Sequence, residues 1–224
     1  MRKVLPYVCF PVMLTFFSCQ TDSYDKGEGK YSLMLTDFVE LSTNSQKQGI
    51  SMTTDEGVSL ILTKTVTASW MQKGDTLYRV LAYYNKVSDQ QAEMVSLTAV
   101  PTLRPHGAEH FTSQPQDPVG LESAWLVKSG KYINLGLLLK NGRDENGDEG
   151  THSLALVCDE IRQNDDLTQT ACYRLIHSQG SAPEYYTNRR YVSISLPDTD
   201  ERPDSIRLSV NTYDGIVEKA FRIK

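Results

Sequence analysis

From residue 31 onward, apolar and polar positions alternate with a period of two, and β-branched and aromatic residues fill the apolar slots; no long segment sustains a helical period. The chain therefore reads as all-β. In its first half the pattern predicts strands over 31–41, over the short GISMTT and GVSLILT that flank the turn Asp55-Glu56-Gly57, over 76–87 and over 93–103. Five strands of this kind close a small barrel. The intervening KTVTASWMQKGD places Trp70 and Met71 to plug one end of it, with Gly74-Asp75 as a turn. In the second half the pattern predicts strands over 121–128, 131–140, 151–160, 170–178, 189–197, 204–214 and 215–224, with a tight turn at Asp214-Gly215. Seven strands at short spacing fit a β-sandwich. Between the halves, PTLRPHGAEHFTSQPQDPVG carries Pro101, Pro105, Pro115 and Pro118 and little apolar content. This divides the chain into a barrel over 31–104, a linker over 105–119 and a sandwich over 120–224.

The N-terminus departs from this pattern. Arg2 and Lys3 precede LPYVCFPVMLTFF, an apolar run too short for a stable membrane span, and Ser18-Cys19 follows. This is a secretory signal over residues 1–18. A small residue directly before a cysteine at the end of the apolar region resembles the site where bacterial signal peptidase II cleaves, which makes Cys19 a lipidated first residue. Phe16 and Phe17 depart from the usual residues of that motif. The partner so implied is a membrane, reached through a lipid anchor rather than a span. Residues 19–30 form a polar tether whose Asp22, Asp25 and Glu28 resemble the acidic export signals of surface lipoproteins, so the expected location is the outer membrane, facing the cell surface.

Charge narrows the function classes. Loss of the signal removes Arg2 and Lys3 and no acid, taking the formal charge from −5 to −7. An acidic chain without clustered Lys and Arg is a poor nucleic-acid reader, so no nucleic-acid partner is expected. Cys9 leaves with the signal and Cys19 carries lipid, so Cys158 and Cys172 remain as a candidate pair. In an exported chain they form either a cross-strand disulfide or two buried free thiols.

Two stretches invite chemistry. The run Pro105-His106-Gly107-Ala108-Glu109-His110 contains H-x-x-E-H, the inverted zinc-protease signature. It needs a helix to bring both histidines onto one metal, and Gly107 with the flanking prolines opposes one. The run 144–150, DENGDEG, imitates the start of a calcium loop, but its glycine falls late and Ala155 stands where a bidentate Glu belongs. There is no G-x-S-x-G and no cysteine placed as an activated thiolate. His152 and His177 fall on predicted strands, where a backbone-satisfied histidine is the ordinary finding. The sequence thus predicts no catalytic residue, no metal and no cofactor.

A tether after a lipidated cysteine, a strand that follows Lys73-Gly74-Asp75 and continues as YRVLAYYN, and a sandwich that opens with Trp125 and then Gly130-Lys131-Tyr132-Ile133-Asn134-Leu135 together resemble the NigD-like lipoproteins of Bacteroidota. The resemblance spans nearly all of the mature chain. It implies an N-terminal OB-like barrel followed by a C-terminal β-sandwich, and it carries no catalytic residues over. OB-like barrels bind polymers across one face, so Tyr78, Tyr83 and Tyr84 are candidate stacking residues. Alternation puts Tyr84 with Tyr78, Val80 and Ala82 on one face, and Leu81 and Tyr83 on the other; either face can be the core. The function expected is a non-enzymatic binding or interaction protein of the cell envelope with a protein or glycan partner. The alternatives are a bacteriocin immunity protein and a carbohydrate-binding accessory protein or hydrolase.

Overall fold

The computed structural model describes residues 33–197 and 202–224. The signal peptide, Cys19 and the acidic tether lie outside the described residues. The barrel consists of β1 (Leu35–Thr43), β2 (Gly49–Thr54), β3 (Ser59–Val66), β4 (Leu77–Ser88) and β5 (Gln91–Ala99), closed in the order β1-β2-β3-β5-β4. β3 and β5 run parallel, the other neighbours antiparallel, and β4 returns to β1 to seal the edge. Closure leaves no free edge in this half. Val39, Leu41, Met52, Leu60, Leu62, Val80, Ala82 and Tyr84 point inward at the period the sequence sets. Met71 is buried against them as a plug, and Trp70 meets Tyr78 edge-on at 5.5 Å.

Among the described residues, nine strands build the sandwich. One sheet runs β6 (Thr102–Leu103), β12 (Tyr186–Ser195), β9 (Tyr132–Asn141), β8 (Gly120–Leu126). The other runs β14 (Gly215–Arg222), β13 (Ser205–Thr212), β11 (Gln169–Ser178), β10 (Ser153–Gln163), β7 (Pro105–Gly107). Ile133, Leu135, Leu137, Leu156, Leu175, Ile194, Ile206 and Leu208 fill the space between the sheets. Each such side chain contributes about 1.5–3 kcal/mol by leaving water.

Two expectations need correction. Thr102–Leu103, read as the end of the last barrel strand, instead pairs in parallel with β12 of the sandwich, and within the stretch read as a linker Pro105–Gly107 pairs in parallel with β10. The chain crosses from one sheet to the other at Arg104, and the boundary between barrel and sandwich falls after Ala99. Pro105 is tolerated in β7 because only one side of an edge strand has to donate hydrogen bonds. The connection between the strands predicted over 151–160 and 170–178 is also shorter than expected: β10 runs on to Gln163 and β11 starts at Gln169, and the chain turns through residues 164–168, where Leu167 adopts φ 67°.

β9 shows buried residues almost without interruption instead of alternation. The sandwich core covers one face of the sheet to which it belongs, and the barrel covers the other. Phe38 on β1 packs edge-on against Trp125 at 5.7 Å and Tyr191 at 5.2 Å. Residues 34–224 consequently form a single compact unit.

Candidate functional site

At the barrel–sandwich junction, Arg79 leaves β4 on the outer face of the barrel yet is 7 % exposed. Its two terminal nitrogens donate to the Asp55 carboxylate at 2.6 and 2.7 Å, a bidentate fork. Its Nε donates to the Ser193 hydroxyl at 3.1 Å, and Nη2 also reaches Asn134 Oδ1 at 3.1 Å. Asn134 donates to Asp55 at 3.0 Å and accepts from Ser193 at 2.7 Å. Asn134 and Ser193 are register partners on β9 and β12, so the sandwich presents them as a pair. The guanidinium is capped by the Tyr132 ring, 4.2 Å from its centroid, and by Phe38 at 5.5 Å. Tyr132 in turn donates to Glu40 at 2.9 Å, and Lys131 pairs with the same carboxylate at 2.9 Å. Burial, followed by the bond to Glu40, pushes the Tyr132 phenol up to about 12. The space left beside the network is a cavity of about 120 Å³ between Glu40, Asp55, Lys131 and Tyr132. That is well below the roughly 300–1,000 Å³ of a ligand pocket.

The sequence offered half of this network. Lys131-Tyr132-Ile133-Asn134 belongs to the segment that carries the family resemblance, but no spacing ties Asn134 to Asp55 or Arg79. Tyr78 and Tyr84 are not stacking residues: both point into the barrel core, where Tyr84 donates to Asp37 at 2.7 Å. Tyr83 lies on the opposite face of β4 and is half-buried.

The H-x-x-E-H stretch folds as β7 followed by a single 3-10 turn, Ala108–His110, so the α-helical spacing the metal motif needs is not formed. His106 and His110 are exposed and stack on each other, with centroids 4.3 Å apart and an interplanar angle of 14°. In the DENGDEG run, the Asp144 carboxylate accepts the backbone N–H groups of Asn146 and Asp148, both at 2.9 Å. Its oxygens shape a hairpin loop, and those bonds hold its carboxyl below the usual range.

Cys158 and Cys172 are free thiols on neighbouring strands. Cys158 pairs with Tyr173 and packs inward against the sandwich core. Cys172 pairs with Glu160 and faces outward, into a groove with Arg162, Arg174 and Arg207. The bulge at Asp159 offsets the register, and successive residues of a strand take opposite faces, which separates the two sulfurs. Burial pushes both thiols above their ordinary value.

His152 and His177, 25 residues apart, meet: Nδ1 of His152 lies 3.0 Å from Nε2 of His177. His177 is 2 % exposed, and its Nδ1 lies 3.0 Å from the Asp117 carbonyl, which can only accept. The proton of His177 is thereby assigned to Nδ1, its Nε2 accepts, and His152 donates from Nδ1. Burial, then His177, then Arg190 push the His152 imidazole below its ordinary value, against the Lys140 backbone. The unfolded chain therefore takes up this proton first, so the contribution of His152 is complete above about pH 6.5 and is lost as pH falls through its lowered folded value. Urea midpoints should drop as pH falls below about 6.5, and His152→Gln should flatten that slope. An unchanged slope would remove His152 as its source.

Three loops gather at the end of the sandwich that holds this pair. A Cβ on Gly150 would lie 1.9 Å from Ala182 Cα, so residues 142–151 rest directly on residues 180–183. Tyr185 donates its backbone N–H to the Asn141 carbonyl at 2.9 Å. Lys140 joins the loops, with its ammonium 3.2 Å from Glu184 and 5.0 Å from the Tyr213 ring centroid.

With the fold and these sites established, comparison with known proteins places the architecture. No family model matches the chain, and neither does any curated protein. Among solved structures, a NigD-like immunity protein from Bacteroides caccae is similar with a TM-score of 0.62 at 21% identity, over 85% of this chain and 97% of that one. A protein of unknown function from Bacteroides vulgatus is similar with a TM-score of 0.62 at 16% identity, over 85% and 91%. A candidate lipoprotein from Bacteroides fragilis follows with 0.57 at 13%, over 85% and 98%. The resemblance to NigD-like proteins that the sequence carries is thus a resemblance of the whole fold, barrel and sandwich together.

Proposed function

We propose that this chain is a non-catalytic lipoprotein of the bacterial envelope, lipidated at Cys19, held at the outer membrane facing outward, and working as an interaction module. The observation that carries this reading is the closed junction. Ligand and active sites favour domain interfaces. Here that position holds Arg79, Asp55, Asn134 and Ser193, which spend their hydrogen bonds on one another and brace the two domains. Carboxylates and donors engaged in this way hold shape; they are not free to bind or protonate a substrate.

Formaldehyde crosslinking on intact cells tests the interaction reading: it should give a discrete adduct, and Cys19→Ser should move the protein out of the membrane fraction and abolish that adduct. A protein that yields no adduct, or that hydrolyses envelope polysaccharide with loss of activity on Asp55→Asn, would sink the proposal. Immunity is a second reading, favoured by the likeness to the NigD-like immunity protein. It requires that expression protect a bacteriocin-sensitive strain.

A further inference from the structure

The sandwich end carries the most exposed aromatic side chains of the described residues. Tyr185 is 77 % exposed, and Tyr186 and Tyr213 are each 43 % exposed. Two of these rings, Tyr185 and Tyr213, are held in place. A Cβ on Gly142 would meet Tyr185 Cδ2 at 2.7 Å and Pro183 Cβ at 2.9 Å, so the ring edge rests on bare backbone while the rest stays open to water. Tyr213 belongs to the tight hairpin between β13 and β14, whose Gly215 adopts φ 110°. Exposed rings fixed in this manner lose little freedom when something covers them.

Charge around the rings selects the partner. Asp144, Glu145, Asp148 and Glu149 lie exposed on the loop that docks against residues 180–183. Glu184 and Asp214 adjoin the tyrosines themselves; the opposing charges include Lys140, paired with Glu184, Arg143, paired with Glu149, and Arg190, which acts on His152, so the acids still outnumber the cations. The surface already holds one ammonium in this setting: Lys140 sits over Tyr213 and pairs with Glu184. Rings present a negative face to cations, and carboxylates at the rim complete the match. An anionic polymer is repelled by the same rim.

We infer that this end of the sandwich docks a basic segment of another protein, with Lys or Arg side chains set over Tyr185, Tyr186 and Tyr213 and steered by the acidic rim. The inference rests on the reading of the chain as an interaction protein and adds the site and the chemistry of the partner. Tyrosine truncation separates it from general attraction to an acidic protein, because it removes rings and leaves every charge in place.

The test uses the purified protein with hepta-lysine and hepta-arginine peptides as probes, read by titration calorimetry. Saturable binding is expected, weakened about tenfold in Tyr185→Ala/Tyr213→Ala, the loss ordinary for a binding hot spot. Binding should also weaken as salt is raised from about 0.05 to 0.5 M. Both tyrosines are exposed, so the melting temperature should stay put and report an intact fold. Equal binding by wild type and the double variant would overturn the assignment, as would a neutral oligosaccharide that binds in a tyrosine-dependent way. If neither peptide binds, the basic-partner inference falls alone, since the crosslinking on cells decides the interaction reading independently.

Discussion

Arg79→Met should destabilise the protein by about 3–5 kcal/mol, the ordinary cost of removing one member of a buried ion pair. The change takes away four donor contacts at once and leaves Asp55, whose side chain is only 19 % exposed, facing Asn134 without its cation. Asn134 and Ser193 then face a methionine that offers no donor. Because the network spans β4, the β2–β3 turn, β9 and β12, the damage falls on the coupling between the domains. Trp70 reports on the barrel and Trp125 on the sandwich, so single-tryptophan versions can follow each domain through a urea titration. One shared transition should split in two in Arg79→Met. Adding Asp55→Ala should cost much less than it does alone, because the stranded carboxylate is then gone. Coincident transitions shifted by less than about 1 kcal/mol would show that the junction is held by apolar contact only.

A second large effect is expected from one methyl group. Gly150→Ala should cost about 1–3 kcal/mol, the usual range for forcing volume into a packed site. Its Cβ would fall 1.9 Å from Ala182 Cα and 2.4 Å from Ala182 N, backbone atoms that no rotamer change can move aside. Gly147→Ala is the matched control. Gly147 has φ 86° and nothing within 4 Å of an added methyl, so it should cost only the backbone strain of about 1 kcal/mol. Thermal melts compare the two, and limited proteolysis should cut loop 142–151 faster in Gly150→Ala alone. If Gly147→Ala proves the more damaging, the loop does not dock as described. The same docking seats Tyr185, which ties this stability effect to the proposed binding surface.

Much of the architecture was written in local pattern. Period-two alternation placed nearly every strand, and the barrel plug at Met71 followed from an apolar pair between turn residues. The strands β6 and β7 escaped as separate elements because they are only two and three residues long, too short for alternation to show, and β7 begins on a proline. Of the two motifs that the sequence argument set aside, His106 and His110 stack on a strand and a 3-10 turn, and the calcium-like run is a hairpin loop. Side-chain meetings at long separation left no local trace, among them Arg79 with Ser193, His152 with His177, and Lys140 with Tyr213.

The sequence by itself determined the fold class, the core faces once one face was known, and the acidic character of the chain, because these depend on residue order and composition alone. Tertiary structure decided which face of β4 is core and why an arginine can be buried on the other. It set Cys158 and Cys172 on opposite faces through a bulge, and it collected Tyr185 and Tyr186 at the start of β12 and Tyr213 in the β13–β14 hairpin onto one end of the sandwich. Those outcomes depend on how strands far apart in the chain register against one another, a choice made by packing two domains together and invisible in any single segment.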